Sequence, residues 1–146
     1  MIKPGSTDNI NYLISIGEDM ADDFNIDDFN LDAWSEMVRK YSIYNDRTSL
    51  VFYNNLNTPA GLLLGKVAPI PHSGVIFAEI DYIYLMPEFL NHENLYELHT
   101  SFIDWANNYK IKSVKISNLY NMPGEYLDFF SDIGFVSDKI HSKGLE

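Results

Sequence analysis

Residues 75–85 read Val-Ile-Phe-Ala-Glu-Ile-Asp-Tyr-Ile-Tyr-Leu, and Met86-Pro87 closes the run. Strict alternation puts Val75, Phe77, Glu79, Asp81, Ile83 and Leu85 on one face of a strand. Ile76, Ala78, Ile80, Tyr82 and Tyr84 take the other. A strand that is apolar on both faces belongs in the middle of a sheet. Pro87 ends it, and an amphipathic helix follows over Asn94–Tyr109. The helix carries its apolar stripe on Leu95, Leu98, Phe102, Trp105, Ala106 and Tyr109. Ser113–Ser117 then reads as a short strand. A strand–helix–strand crossover of this kind is right-handed and makes the two strands parallel.

Working outward, Ser49–Tyr53 and Ala60–Ala68 are further strands. The turn signals Asn57-Thr58-Pro59 and Pro69 to Gly74 separate them from each other and from the central run. Two helices precede them. The first carries Ile10, Leu13, Ile14, Gly17, Met20, Ala21 and Phe24 at helical spacing, with Ser6, Thr7 and Asp8 as N-cap candidates. The second spans Leu31–Tyr41, with Asn30 as cap and Leu31, Trp34, Met37, Val38 and Tyr41 as its buried stripe. Beyond the crossover, Pro123 suits a helix first turn. Tyr126, Leu127, Phe130 and Ile133 form that helix's apolar face, and Gly134 fits its C′ position. Phe135–His141 reads as a last strand, and Ile2–Pro4 as a short first one. The expected fold is α/β (α+β): a mixed, mostly antiparallel central sheet with one parallel βαβ crossover and helices on both faces. Residues 1–146 read as a single domain.

Composition narrows the function classes. The chain has 146 residues, is 46% hydrophobic and 21% charged, and contains no cysteine. It can bury a core without staples, and it excludes disulfides, thiolate metal sites and Cys nucleophiles. Ten Lys and Arg face 21 Asp and Glu, a formal net charge of -11. That balance argues against nucleic acid and against anionic membrane surfaces as partners. No apolar run approaches the roughly 20 residues of a membrane span. The first residues lack a signal-peptide core, so the expectation is a cytoplasmic protein. A homodimer is compatible with this reading.

The order of elements resembles the GNAT superfamily of N-acetyltransferases over nearly the whole chain. Three local stretches carry the resemblance. Tyr84-Leu85-Met86-Pro87-Glu88-Phe89 is similar to the V-x-P-E-Y exit of that family's strand 4. The long helix comes next. Asn118, followed by Tyr126-Leu127-Asp128-Phe129-Phe130-Ser131-Asp132-Ile133-Gly134-Phe135, is similar to its N…A…LYEKLGF ending. The resemblance implies acetyl-CoA as cofactor and a small-molecule or peptide amine as acceptor. The cofactor would lie between the parallel strands, held by backbone groups near Leu85, by the amides of His92, Glu93, Asn94 and Leu95, and by Asn118. Asn91, His92 and Asn94 could add side-chain hydrogen bonds.

The family's pyrophosphate signature is Q/R-x-x-G-x-G/A, in which glycines let backbone amides approach the anion. Here it falls on Leu90-Asn91-His92-Glu93-Asn94-Leu95, and all three defining positions differ. A carboxylate about 4 Å from a phosphate charge costs ~1 kcal/mol in water and ~4 kcal/mol at an effective dielectric near 20. A helix dipole returns only ~0.3–1 kcal/mol. Glu93 facing the pyrophosphate would cancel that contribution; facing away, it serves as the helix's own first-turn anion. The cofactor loop is therefore degenerate.

The resemblance also assigns catalytic roles. A carboxylate on strand 4 deprotonates the acceptor amine, so Glu79 and Asp81 are candidate bases. The alternative is a hydrogen-bonded pair at a wet sheet end. The family's tyrosine acid aligns with Phe130, which cannot donate a proton. Tyr126, one turn earlier, and Tyr120 are candidate substitutes, with core packing as the alternative. Asn118 is a cofactor contact or a turn residue. The acidic stretch from Asp22 to Asp28 contains D-x-N-x-D, but Asp28 and Trp34 stand where a calcium loop needs Gly and Glu. His92 and His99 would lie roughly 10 Å apart along one helix, too far for one metal ion.

Two functions follow as expectations. One is an acyl-CoA-dependent N-acetyltransferase working by direct attack of the amine on the thioester. The other is a non-catalytic binding or assembly protein of the same fold, with the cofactor cleft filled by side chains such as Leu90 and Leu95. An acidic mimic of nucleic acid is a third reading, motivated only by net charge.

Overall fold

The structure is a computed structural model that describes residues 1–117 and 122–135. Its elements run β1 (Ile2–Pro4), α1 (Ile10–Asp23), α2 (Leu31–Ile43), β2 (Arg47–Tyr53), β3 (Pro59–Pro69), β4 (Ile76–Leu85), α3 (His92–Ala106), β5 (Ser113–Ile116) and α4 (Gly124–Asp132). The strand candidate Phe135–His141 falls almost wholly outside the described residues, as do Asn118 and Tyr120. No described helix is long and apolar enough to cross a membrane.

Neighbouring strands follow chain order, β1-β2-β3-β4-β5. The first four pair antiparallel, and β4 pairs with β5 in parallel, as the crossover requires. Register assigns the faces. Leu62, Leu64 and Lys66 lie opposite Tyr84, Tyr82 and Glu79. That face meets α1 and α2, where Trp34 packs edge-on against Tyr82 at 5.2 Å. The opposite face holds Leu63, Gly65 and Val67, and α3 lies on it through Phe102. The core runs through both layers, from Leu13, Met20 and Val38 through the central strands to Leu98 and Phe102.

The strict alternation expected along β4 is not observed. Leu64 pairs with Tyr82 and Gly65 with Ile80, so Asp81 is an extra residue with no partner on β3. A bulge of this kind shifts the side-chain phase by one. Glu79 therefore shares a face with Tyr82 and Tyr84, not with Ile83 and Leu85. Sequence period alone could not show this, because residues on both sides of Asp81 are apolar.

Local signals mostly act as expected. Asn30 caps α2 by accepting from the Ala33 amide at 2.9 Å. Gly134 takes φ +105° beyond α4, a conformation that favours glycine. Several details differ, among them Leu127, which is exposed rather than on the buried face of α4. The N-cap of α1 is Asn9 rather than Ser6, Thr7 or Asp8, and its side chain instead braces the loop by accepting from Ser6 N and donating to Pro4 O. Leu31, the first residue of α2, is exposed. Pro123 is the N-cap of α4 rather than a first-turn residue.

The layering yields a test. A Cβ added at Gly65 would sit 2.3 Å from Phe102 Cε1 and 2.9 Å from the Glu79 carbonyl oxygen. Gly65→Ala is expected to destabilise the fold by ~1–3 kcal/mol in urea denaturation. Gly124→Ala, which meets nothing within 4 Å, should not. Equal stability of the two variants would contradict the placement of α3.

Candidate functional site

Two groups of residues meet at the far half of β4. The first forms around the bulge. Asp81 is 2% exposed, and its Oδ2 accepts from the Tyr41 hydroxyl at 2.5 Å. Lys66 Nζ lies 3.4 Å from the same oxygen and 3.6 Å from Glu79 Oε1. Glu79 and Lys66 are cross-strand partners, and the bulge turns the Asp81 side chain toward them. Asp81 Oδ1 is buried with no protein partner among the described residues.

The structure thus brings the two candidate bases together and adds an ammonium and a phenol. Lys66 and Tyr41 were not singled out from sequence. Lys66 had a legible signal, as a lone charge inside the apolar strand Ala60–Ala68. Tyr41 had none, because it reads as an ordinary stripe residue of α2. Burial and the neighbouring Asp81 carboxylate both push the Tyr41 phenol well above its usual range.

The second group lines the gap between β4 and β5. Pairing runs from Phe77↔Ser113 to Ile80↔Ile116 and ends with Ser117 N donating to Ile80 O. Beyond the bulge, β4 continues to Leu85 while β5 has ended. Tyr126 of α4 reaches into that V. Its hydroxyl accepts from Leu85 N at 2.9 Å and donates to Leu85 O at 3.2 Å. The side chain is 1% exposed, and its ring meets Phe24 edge-on at 5.3 Å. Burial holds its phenol above the ordinary range. Phe24 also packs on Tyr84, whose hydroxyl donates to Asp23. The C-terminal end of α1 is thereby tied to the end of β4.

The loop residues surround the start of α3. Asn91 is the N-cap, and its side chain accepts from Asn94 N at 2.8 Å. Asn94 Nδ2 donates to Phe89 O, and Leu95 N donates to Asn91 O. Two of the four amides expected to face a cofactor are therefore already bonded. Leu95 is buried, whereas His92 and Glu93 are exposed in the first turn. Between this turn and α4 runs an open groove of about 290 Å³, with Leu90, Leu95 and Phe129 at its base and Glu125, Asp128 and Asp132 along its α4 side.

Acetyl-CoA can be tested against this geometry. The Leu85 backbone groups that would hold it are taken by Tyr126. The groove beside the α3 N-terminus is lined by Glu125, Asp128 and Asp132 and, among the described residues, by no Lys or Arg. One carboxylate within about 8 Å of a phosphate charge costs roughly 0.5 kcal/mol in water and ~2 kcal/mol at an effective dielectric near 20. Three of them together offset much of the ~0.3–1 kcal/mol from the helix dipole. The residues present do not fit the cofactor. Leu90 and Leu95, expected to fill the cleft, instead line the groove; the filling residue is Tyr126.

The site predicts two stability effects. Lys66→Met leaves Asp81 with only the Tyr41 donor, and should cost about 2–3 kcal/mol in urea denaturation at neutral pH. Tyr41, Tyr82, Tyr84 and Tyr126 are all held above the ordinary tyrosine value of 10.0, first by burial. Their neutral forms stabilise the fold fully below about pH 10, and that contribution is lost as pH rises through the folded values. Spectrophotometric titration should show these four ionising late, with alkaline unfolding. Four normal titrations would contradict their placement.

No family model matches this sequence, and no curated protein matches it. Solved structures do match in fold. A predicted acetyltransferase from Clostridium acetobutylicum, solved with acetyl-CoA, superposes with a TM-score of 0.78 at 11% identity, covering 94% of this chain and 90% of that one. An aminoglycoside acetyltransferase from an uncultured soil metagenomic sample gives 0.74 at 16% identity, covering 94% and 89%. The ribosomal-protein-alanine N-acetyltransferase of Brucella melitensis biovar Abortus gives 0.70 at 13% identity, covering 94% of each chain. Such identities carry the architecture alone, and with the bulged β4, the parallel β4–β5 pair and the intervening α3, this chain has the fold of the GNAT superfamily.

Proposed function

We propose that this chain uses the acetyltransferase fold for binding or assembly rather than for acetyl transfer from acetyl-CoA. The observation that carries the reading is the groove between the α3 N-terminus and α4. In a fold of this kind the helix N-terminus is the natural anion site. Here Glu125, Asp128 and Asp132 line its approach, and their repulsion of phosphate offsets the attraction of the dipole. The missing glycines and the Phe130 side chain, which has no proton to donate, agree with this.

One observation favours a second reading. Glu79 and Asp81 stand together at the β4 bulge, where a base would serve an N-acetyltransferase acting on a small-molecule or peptide amine. Lys66 already holds both carboxylates in ion pairs. An incoming ammonium would have to compete with this resident one.

Calorimetric titration of the wild-type protein with acetyl-CoA separates the two readings. The expected result is no binding at millimolar ligand. Micromolar affinity would overturn the binding reading and install the second. In that case Glu79→Gln and Asp81→Asn should each lower acetyl transfer in an amine screen without abolishing cofactor binding.

A further inference from the structure

The end of β4 holds a feature that the electrostatic argument does not need. Leu85 is 1% exposed, and its N–H and C=O point into the V where β5 has ended. A strand edge presents a donor and an acceptor side by side. Buried away from water, both require partners. A ligand amide lying along the edge would satisfy them by accepting from Leu85 N and donating to Leu85 O. The Tyr126 hydroxyl makes the same two bonds from within the chain. Its ring is wedged against Phe24, which in turn packs on Tyr84.

We infer that Tyr126 is an internal occupant of the slot that the fold provides for a neutral amide-bearing chain of the pantetheine type, and that it keeps this slot closed in the wild-type protein. Exclusion of acyl-CoA then has two separable causes. Tyr126 blocks the amide chain, and the groove carboxylates repel the phosphates. The inference rests on the preceding reading only for the phosphate half.

Pantetheine, which is uncharged, and acetyl-CoA, which carries the phosphates, distinguish the two. Both would be titrated calorimetrically into the wild type, Tyr126→Phe, Tyr126→Ala and the triple change Glu125→Gln, Asp128→Asn, Asp132→Asn, alone and combined with Tyr126→Ala. The wild type should bind neither ligand. Tyr126→Ala should bind pantetheine at least tenfold more tightly than the wild type, with a ligand-dependent rise in Tm, and Tyr126→Phe, which frees the Leu85 N–H and C=O but keeps the ring, should gain by a smaller factor. Acetyl-CoA should bind only the combined variant. Pantetheine binding that is equal in wild type and folded Tyr126 variants would overturn the inference. Acetyl-CoA binding to Tyr126→Ala with the three carboxylates intact would instead overturn the reading of the groove alone, and binding to the wild type would overturn both.

Tyr126→Phe keeps the ring and removes only the hydroxyl, so it guards against a variant that fails to fold. A measurement on the wild type needs no variant. The Leu85 amide should be protected from hydrogen exchange although β5 gives it no partner. Exchange at the rate of an open amide would overturn the inference on its own.

Discussion

One extra residue in β4 sets the geometry of everything around it. Asp81 has no partner on β3, and from that point the strand turns its pleat and leaves β5 behind. A carboxylate at such a position cannot stay unpaired, because a buried charge with no partner costs several kcal/mol. Tyr41 from α2 and Lys66 from β3 supply the partners. The bulge thus anchors α2 to the sheet, brings Glu79 and Asp81 to one cation, and opens the V that Tyr126 occupies. Without the extra residue, β4 would keep its alternation, and Tyr82 and Tyr84 would no longer share the face that carries Glu79.

The two sides of the V differ in chemistry. On the α1–α2 side the carboxylates have partners: Lys66 serves both Glu79 and Asp81, and the Tyr84 hydroxyl donates to Asp23. On the α3–α4 side, charge is left unbalanced. Glu125, Asp128 and Asp132 recur at helical spacing on one stripe of α4, and among the described residues none forms an ion pair. Part of the net charge of -11 thus stands in the groove beside the α3 N-terminus.

Aromatic packing ties these sides together. Phe24, at the end of α1, touches Tyr84 of β4 and Tyr126 of α4 at ring separations of 5.4 and 5.3 Å. On the other side of α4, Phe129 and Phe130 meet His99 of α3. Burial among these rings lowers the His99 pKa below the usual histidine value. The helix that closes the V is thus held from two layers, and the Tyr126 hydroxyl is placed by packing before it makes a hydrogen bond.

The sequence by itself determined the element order and the layered architecture. Helical stripes, turn residues and Pro87 act through neighbours close in the chain, and the crossover needs only a long helix between two strands. It also determined which residues stand in the first turn of the long helix, since Glu93 and Leu95 are legible one by one. Only the tertiary structure decided where the side chains meet. The bulge at Asp81 is invisible to periodicity in a run that is apolar on both faces. The Lys66–Asp81–Tyr41 cluster joins residues from β3, β4 and α2. Tyr126 read equally well as a proton donor or as core, because one sequence position cannot say which backbone groups lie across the sheet from it. The hydrogen bonds to Leu85 span 41 residues, and contacts at that separation follow from packing rather than from local pattern.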